Sequence, residues 1–260
     1  LPYGQLIADY SLPSNHVFHT LLTRICTDLF GVGVVQLRMP SFLASALCMP
    51  LFYLFVRAMF NRYIALLTLA IVACSGPLIS VGSMALGYSI CWLCFTASLL
   101  LGRHFVKSND QTSASLIAVL NALGMWTMPA YAYAALAVFL WILIALTMNY
   151  THSIRERIGR WVLSFIVFVL LTFLLYTPVS QEHGFDQLTN SHLHPRLEWS
   201  AFDLRHTDMA FNLWGFAVDG TSAWIAFFGF IGLLYAAFVS SKLRAMLIAL
   251  FFAGVILCLL

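Results

Sequence analysis

The chain has 260 residues, of which 62% are hydrophobic and 9% charged, and its formal net charge is +3. Because a soluble domain carries about 25% charged residues, this composition excludes an ordinary water-soluble enzyme and gives no sign of a nucleic-acid partner. It predicts an all-α polytopic transmembrane bundle, a single domain over residues 1–260 with the lipid bilayer as its solvent.

Near the start of the chain, residues 15–30 have the pattern of an amphipathic helix. Its polar side chains fall on one side, and they are His16, His19, Thr20, Thr23, Arg24, Thr27 and Asp28. Arg24 and Asp28 are spaced for an i, i+4 ion pair, and Gly31 and Gly33 follow the helix. Such a segment is better suited to lying at the membrane interface than to spanning it.

The remaining chain consists largely of apolar runs long enough, or nearly so, to cross a bilayer. About eight spans are predicted from the roughly 20 residues that a membrane helix needs. They lie near 39–56, 63–82, 84–102, 113–127, 129–148, 161–180, 221–240 and 245–260. The fourth is short, and Pro77 after Gly76 is expected to kink the second.

Basic residues cluster between alternate pairs of spans, which gives the bundle an orientation. Nine of the 13 lysines and arginines lie there, namely Arg57, Arg62, Arg103, Lys107, Arg155, Arg157, Arg160, Lys242 and Arg244. The positive-inside rule places this face in the cytoplasm. Residues 1–38 and the polar loop 181–220 are then extracytoplasmic.

The ends of the sequence look cut. Residue 1 is leucine, and the chain stops inside an apolar run. Further material is therefore expected before Leu1 and after Leu260, with the single domain truncated at both ends.

Motifs of soluble enzymes are absent, and the candidate metal or redox patterns are weak. Cys91 and Cys94 form a CxxC pattern inside a predicted span, where they are interpreted as small apolar residues. His192 and His194 supply at most half of a metal site, because a metal needs three or four ligands. No cofactor is predicted; a divalent metal stays open but has no support from residue spacing.

Three polar residues are candidates for anion binding: Arg38 stands just before the first apolar span, and Asn15 and His16 begin the amphipathic helix. Arg38 is either an arginine that snorkels to the interface or a clamp for a phosphate, whose oxygens fit the guanidinium fork. Asn15 is either a helix N-cap or, with His16, part of an anion site at a helix N-terminus. The alternative for His16 is an ordinary interfacial polar residue.

The order of several short motifs resembles a known family. SLPSNHVFHTLL at 11–22, LFG at 29–31 and LRMPSFLASAL at 37–47 are similar to the start of the GT-C class of polyprenyl-phosphate-sugar glycosyltransferases. The similarity is greatest to the bacterial branch related to protein mannosyltransferases (glycosyltransferase family 39) and aminoarabinose transferases. Ser75-Gly76-Pro77 and Ala85-Leu86-Gly87-Tyr88 match a later element. The resemblance covers about residues 10–150.

The resemblance implies an inverting membrane transferase whose donor is a sugar on a polyprenyl phosphate. Its acceptor would be a glycolipid, a polysaccharide or a protein. A bacterial inner membrane is expected, with the active site facing the periplasm or the cell exterior. The family's catalytic aspartate would precede Leu1, so no catalytic residue is assigned and this piece is expected to be inactive.

Two departures from the family pattern shift the donor-phosphate assignment. Ser14 replaces an asparagine, and Leu86 replaces an arginine of the later element. Phosphate binding would then depend mainly on Arg38. The site residues predicted from the resemblance are Asn15, His16, Arg38 and Tyr88.

Two other classes of protein share this composition. One is a transporter or lipid flippase, and the other is a membrane scaffold without catalysis. A transporter is expected to show internal repeats and charged residues at mid-membrane depth. The predicted spans show neither, which favours the transferase.

Overall fold

The computed structural model describes residues 2–8, 16–148, 154–183 and 223–259, with Asn212 and Gly215. Its helices are α1 Tyr3–Ala8, α2 Val17–Phe30, α3 Val34–Met59, α4 Arg62–Ala73, α5 Gly76–Ser83, α6 Tyr88–Ser108, α7 Gln111–Thr127, α8 Ala132–Met148, α9 Ile154–His183, α10 Ala223–Val239 and α11 Ser241–Leu259. A 3₁₀ turn, Pro129–Tyr131, precedes α8. No strand occurs in these ranges, so the predicted all-α class is confirmed.

The predicted amphipathic helix is present as α2. Gly31 follows it with φ +83° and donates its N–H to the Thr27 carbonyl, a conformation that glycine adopts without strain. The Arg24–Asp28 pair is formed at 3.2 Å on the exposed side. The N-cap position of α2 is His16, and Asn15, for which an N-cap was one prediction, lies outside the described residues.

The core lies where α3, α6, α7, α8, α9 and α11 pack side by side. Phe139 is 1% exposed, and its ring contacts those of Trp161, Phe165 and Phe168 at centroid distances of 5.2–6.3 Å. The outer surfaces are apolar too, and Phe42 is 64% exposed. This apolar exterior suits a helix bundle that lies in lipid.

Each predicted span falls on a helix, but the helices differ in length. Four could cross a membrane by length and composition: Val34–Met59, Tyr88–Ser108, Pro129–Met148 and Ile154–Glu182. The second predicted span, 63–82, is broken into α4 and α5, which meet at 63° beside Gly76-Pro77, as expected from the proline.

Three predicted spans lie on helices shorter than the roughly 20 residues that a membrane helix needs. The runs 113–127 and 221–240 each form a helix of 17 residues, and the apolar described part of α11 is Leu243–Gly254. Within the described ranges, four helices fit a span, or five if the bent pair counts as one. The helix positions were therefore predictable, and the count of eight crossings stays a prediction.

Two of the predicted basic clusters meet at one end of the bundle. Arg157 at the start of α9 donates a hydrogen bond to the Val106 carbonyl at 2.9 Å, and Arg160 donates to the carbonyl of Asn109. These acceptors lie at the C-terminal end of α6, whose last carbonyls have no helical partner. We call this the basic end of the bundle.

Candidate functional site

The site lies at the opposite end, where α2, α3 and α6 begin. Ser41 on α3 is fully buried and donates its hydroxyl to the Leu86 carbonyl at 2.8 Å. The same hydroxyl oxygen lies 3.0 Å from Nε2 of His19 on α2. Because the only hydroxyl proton of Ser41 is already used, Nε2 of His19 must carry the proton that it donates. One serine thus joins the three helix starts.

His16 makes a second connection between α2 and α6. Its ring packs edge-on against Tyr88, with the ring centroids 5.2 Å apart and an interplanar angle of 68°. It is 7% exposed, and its Nδ1 is buried without a hydrogen-bond partner.

Gly87 makes this close approach possible. A Cβ built on it would lie 2.4 Å from Cγ2 of Thr127 and 3.0 Å from Nδ1 of His16. A side chain at position 87 would therefore push His16 or Thr127 away. The glycine of the Ala85-Leu86-Gly87-Tyr88 motif has a packing role here.

The two histidines are held in the neutral form. Burial and, to a lesser extent, the nearby His16 lower the pKa of His19 to about 4. Burial also lowers the pKa of His16, although a hydrogen bond with the Thr127 backbone opposes this in part. Near neutral pH, these imidazoles contribute hydrogen bonds and packing but no positive charge.

Positive charge at the site comes from Arg38, in the first turns of α3. Its side chain is exposed, and no hydrogen bond or ion pair joins it to another residue within the described ranges. It precedes Ser41 by three residues, which is about one helical turn. Tyr88 follows Leu86 by two residues and is 39% exposed. Arg38 and Tyr88 are therefore close in sequence to the two residues of the Ser41–Leu86 contact.

The roles predicted for the site residues stay predictions, but the structure places most of these residues. His16 and Tyr88, predicted together, are in contact, and Arg38 lies in the second turn of α3. Asn15 lies outside the described residues, as do His192, His194 and most of the loop 181–220. His16 lies beneath Tyr88 rather than at the surface.

The sequence analysis did not identify three residues of the site as site residues: His19, Ser41 and Gly87. For the first two, the sequence holds a pattern that could have pointed to them. His19 follows His16 by one turn of the amphipathic helix, and Ser41 ends the Arg38-Met39-Pro40-Ser41 motif. What the sequence could not supply was the neighbour of each side chain.

The CxxC pair and the metal hypothesis gain no support. Cys91 and Cys94 are buried free cysteines of α6, 5% and 4% exposed. In the part of the chain that the structure describes, no three histidines, cysteines or acidic residues come together to hold a metal ion.

Comparison with known proteins identifies one family. The family described as dolichyl-phosphate-mannose-protein mannosyltransferase matches residues 15–176, which is more than half of the chain. The match includes all the residues that join the starts of α2, α3 and α6. No curated protein and no solved structure matches the chain.

Proposed function

Since the chain belongs to the dolichyl-phosphate-mannose-protein mannosyltransferase family, we propose that it moves a sugar from a polyprenyl-phosphate donor to an extracytoplasmic acceptor. Membership makes it an integral membrane glycosyltransferase of the GT-C type. The proposal adds the donor class, the side of the membrane and the residues that hold the donor. A glycolipid, a polysaccharide or a protein hydroxyl would serve as acceptor, at a bacterial inner membrane.

One observation carries the donor proposal: Arg38 is exposed and unpaired among the described residues, at the helix starts that Ser41 joins. A guanidinium offers planar paired donors that match phosphate oxygens. The half-buried Arg157 and Arg160 at the basic end already have carbonyl partners. Arg38 is thus available to a ligand that arrives from the membrane surface.

Tyr88 and His16 complete the proposed phosphate site in different ways. The hydroxyl of the partly exposed Tyr88 can donate to a phosphate oxygen. His16 is too buried for the same role, and its ring instead supports that of Tyr88 from below. We therefore assign donor contact to Arg38 and Tyr88, and positioning to His16. Asn15 precedes His16 and stays a candidate for donor contact.

The chemistry follows from where charge develops. The acceptor hydroxyl attacks the anomeric carbon, a base takes its proton, and the lipid phosphate leaves with the bonding electron pair. Negative charge on the leaving phosphate grows in the transition state. A cation beside it then lowers the barrier, by about 3–4 kcal/mol for a single well-placed donor. None of the described residues is assigned as the base.

Binding of polyprenyl phosphate tests the proposal without requiring turnover. We expect Arg38→Ala to weaken binding of this lipid at least about tenfold, since a charge-assisted hydrogen bond contributes roughly 1.5–3 kcal/mol. Arg24→Ala is the matched control, because Arg24 is also exposed near this end but is paired with Asp28. Binding is measured with a radiolabelled lipid on the purified chain in micelles.

A second ligand tests whether binding depends on the phosphate group. Polyprenol, which lacks the phosphate, should bind Arg38→Ala and the unsubstituted chain equally. If Arg24→Ala weakens polyprenyl-phosphate binding as much as Arg38→Ala does, only general surface charge is involved. If polyprenol binding depends on Arg38 as well, the phosphate assignment fails.

A further inference from the structure

A cavity lies at the basic end of the bundle. It has a volume of about 350 Å³ and is lined by residues of α3, α6, α8 and α11. Six of its eight lining residues are of apolar type, with Met59, Trp141 and Met148 among them, while Arg103 and Ser241 supply polar groups. Arg103 follows Tyr88 by 15 positions on α6, about 22 Å along the helix. This cavity is therefore separate from the proposed donor site.

Arg103 has no hydrogen-bond or ion-pair partner among the described residues, unlike Arg157 and Arg160, which bond to carbonyls at the end of α6. The Nε of Arg103 is buried without a hydrogen-bond partner, as is the Nε of Arg157. An unpaired buried donor of a cation costs free energy unless a ligand satisfies it. The cavity beside Arg103 has room for such a ligand.

The nearby acidic groups are already engaged. Asp110 accepts hydrogen bonds from the backbone N–H and the hydroxyl of Ser113 at 2.9 Å each. Glu156 pairs with Arg160. Neither carboxylate reaches Arg103 in the described part of the chain, so the guanidinium has no internal counter-ion there. An anion from outside is the complementary ligand.

The walls identify what kind of anion fits. We propose that this cavity binds the phosphate headgroup of an anionic membrane phospholipid, with Arg103 and Ser241 at the phosphate and an acyl chain along the apolar side. Trp141 forms a flat wall and is packed against Gly102, where a Cβ would lie 2.9 Å from the indole. Basic pockets between membrane helices on the cytoplasmic side have the chemistry of such lipid sites. A free phosphate ion would leave the apolar walls unused.

Lipid retention tests the proposal on the whole chain. The purified protein is exchanged into nanodiscs of phosphatidylcholine with or without phosphatidylglycerol, and the phosphatidylglycerol retained after release into detergent is counted by native mass spectrometry. We expect Arg103→Gln to lower retention at least about tenfold, because it removes the charged donor. Lys107→Gln removes the same charge one turn further along α6, at an exposed position, and should retain the lipid.

Two further measurements separate the alternatives. Arg103→Lys keeps the charge but loses the guanidinium fork, so we expect partial retention from a variant that keeps its fold. Inorganic phosphate, added in phosphatidylcholine nanodiscs, should not raise the melting temperature as phosphatidylglycerol does. Equal losses in Arg103→Gln and Lys107→Gln, or no loss in either, overturn the site. Equal stabilisation by inorganic phosphate overturns the lipid assignment in favour of a small-anion site.

Discussion

Helix α6 connects two ends of the molecule that use polar residues in opposite ways. At its start, neutral groups hold the structure together: His19, Ser41 and the Leu86 carbonyl form one buried chain of hydrogen bonds. At its end, cations hold the structure together, because Arg157 and Arg160 donate hydrogen bonds to carbonyls of the last turn and the C-cap. Arg38 near the start and Arg103 near the end have no counter-ion among the described residues, and they are the two arginines for which we propose ligands.

The difference follows from the helix itself. The C-terminal end of a helix carries partial negative charge and unsatisfied carbonyls, so arginines there are stabilised by the protein's own backbone. The N-terminal end of a helix carries partial positive charge, so it does not stabilise a nearby cation. At the start of α6, the bundle buries uncharged imidazoles instead, and Arg38 nearby has no partner among the described residues, as the proposed phosphate site requires. The comparison predicts that the two ends respond differently to packing changes, pH and charge removal.

The largest effect is expected from Gly87→Ala at the start of α6. The added Cβ meets Thr127 at 2.4 Å and His16 at 3.0 Å, and overpacking of this kind costs about 1–3 kcal/mol. The melting temperature in detergent should fall accordingly. Gly159→Ala on α9 is the control, because a Cβ there meets nothing within 4 Å and alanine favours helix by up to about 1 kcal/mol. If both variants melt alike, the close packing of Gly87 is unimportant.

The glycine contact shows where sequence reasoning ends. The positions of the helices follow from apolar runs, and the bend between α4 and α5 follows from Gly76-Pro77, because these signals are local. The burial of His16 and His19 is not local. Both fall on the polar side of α2 in the sequence, yet both are covered. Their burial depends on packing against α3 and α6, which lie about 20 to 70 residues away in the sequence.

The donor-site residues divide in the same way. Arg38 and Tyr88 were predicted from motif order, and the structure adds that the starts of their helices are joined through Ser41. Such a contact is carried by one hydroxyl and one carbonyl, and neither leaves a periodic pattern in the sequence. The span count shows a similar limit, because apolar composition reveals that a helix is present but not whether a 17-residue helix such as α7 crosses the bilayer.

The second effect is a loss of stability in acid that belongs to the start of α6. In the folded chain the pKa of His19 is about 4, against 6.5 for the unperturbed side chain. Between those values the unfolded chain takes up a proton and the folded chain does not. Stability is therefore full above pH 6.5 and falls by up to about 1.4 kcal/mol per pH unit as the pH drops towards 4. The lowered pKa of His16 acts in the same direction.

Melting temperatures measured from pH 7.5 to 4.5 test this dependence. His19→Gln keeps a polar group beside Ser41 but cannot titrate, so its acid loss should be smaller than that of the unsubstituted chain. His104→Gln is the control, since it removes an exposed imidazole near the basic end. If the melting temperature of His19→Gln falls with pH as steeply as that of the unsubstituted chain, the acid response arises elsewhere in the chain.

The smallest effect is expected at the basic end, from Arg157→Met. The substitution removes the hydrogen bond to the Val106 carbonyl and a cation from the C-terminal end of α6, while the methionine keeps most of the side-chain packing. Together these changes should cost about 1–2 kcal/mol of stability. Arg155→Met, on the same helix but exposed, should cost almost nothing. Because Arg157 stays charged throughout the acid range, the loss should be the same at pH 7.5 and 4.5. A loss that shrinks in acid would mean that the two ends of α6 are coupled, and the division between a neutral and a cationic end would then fail.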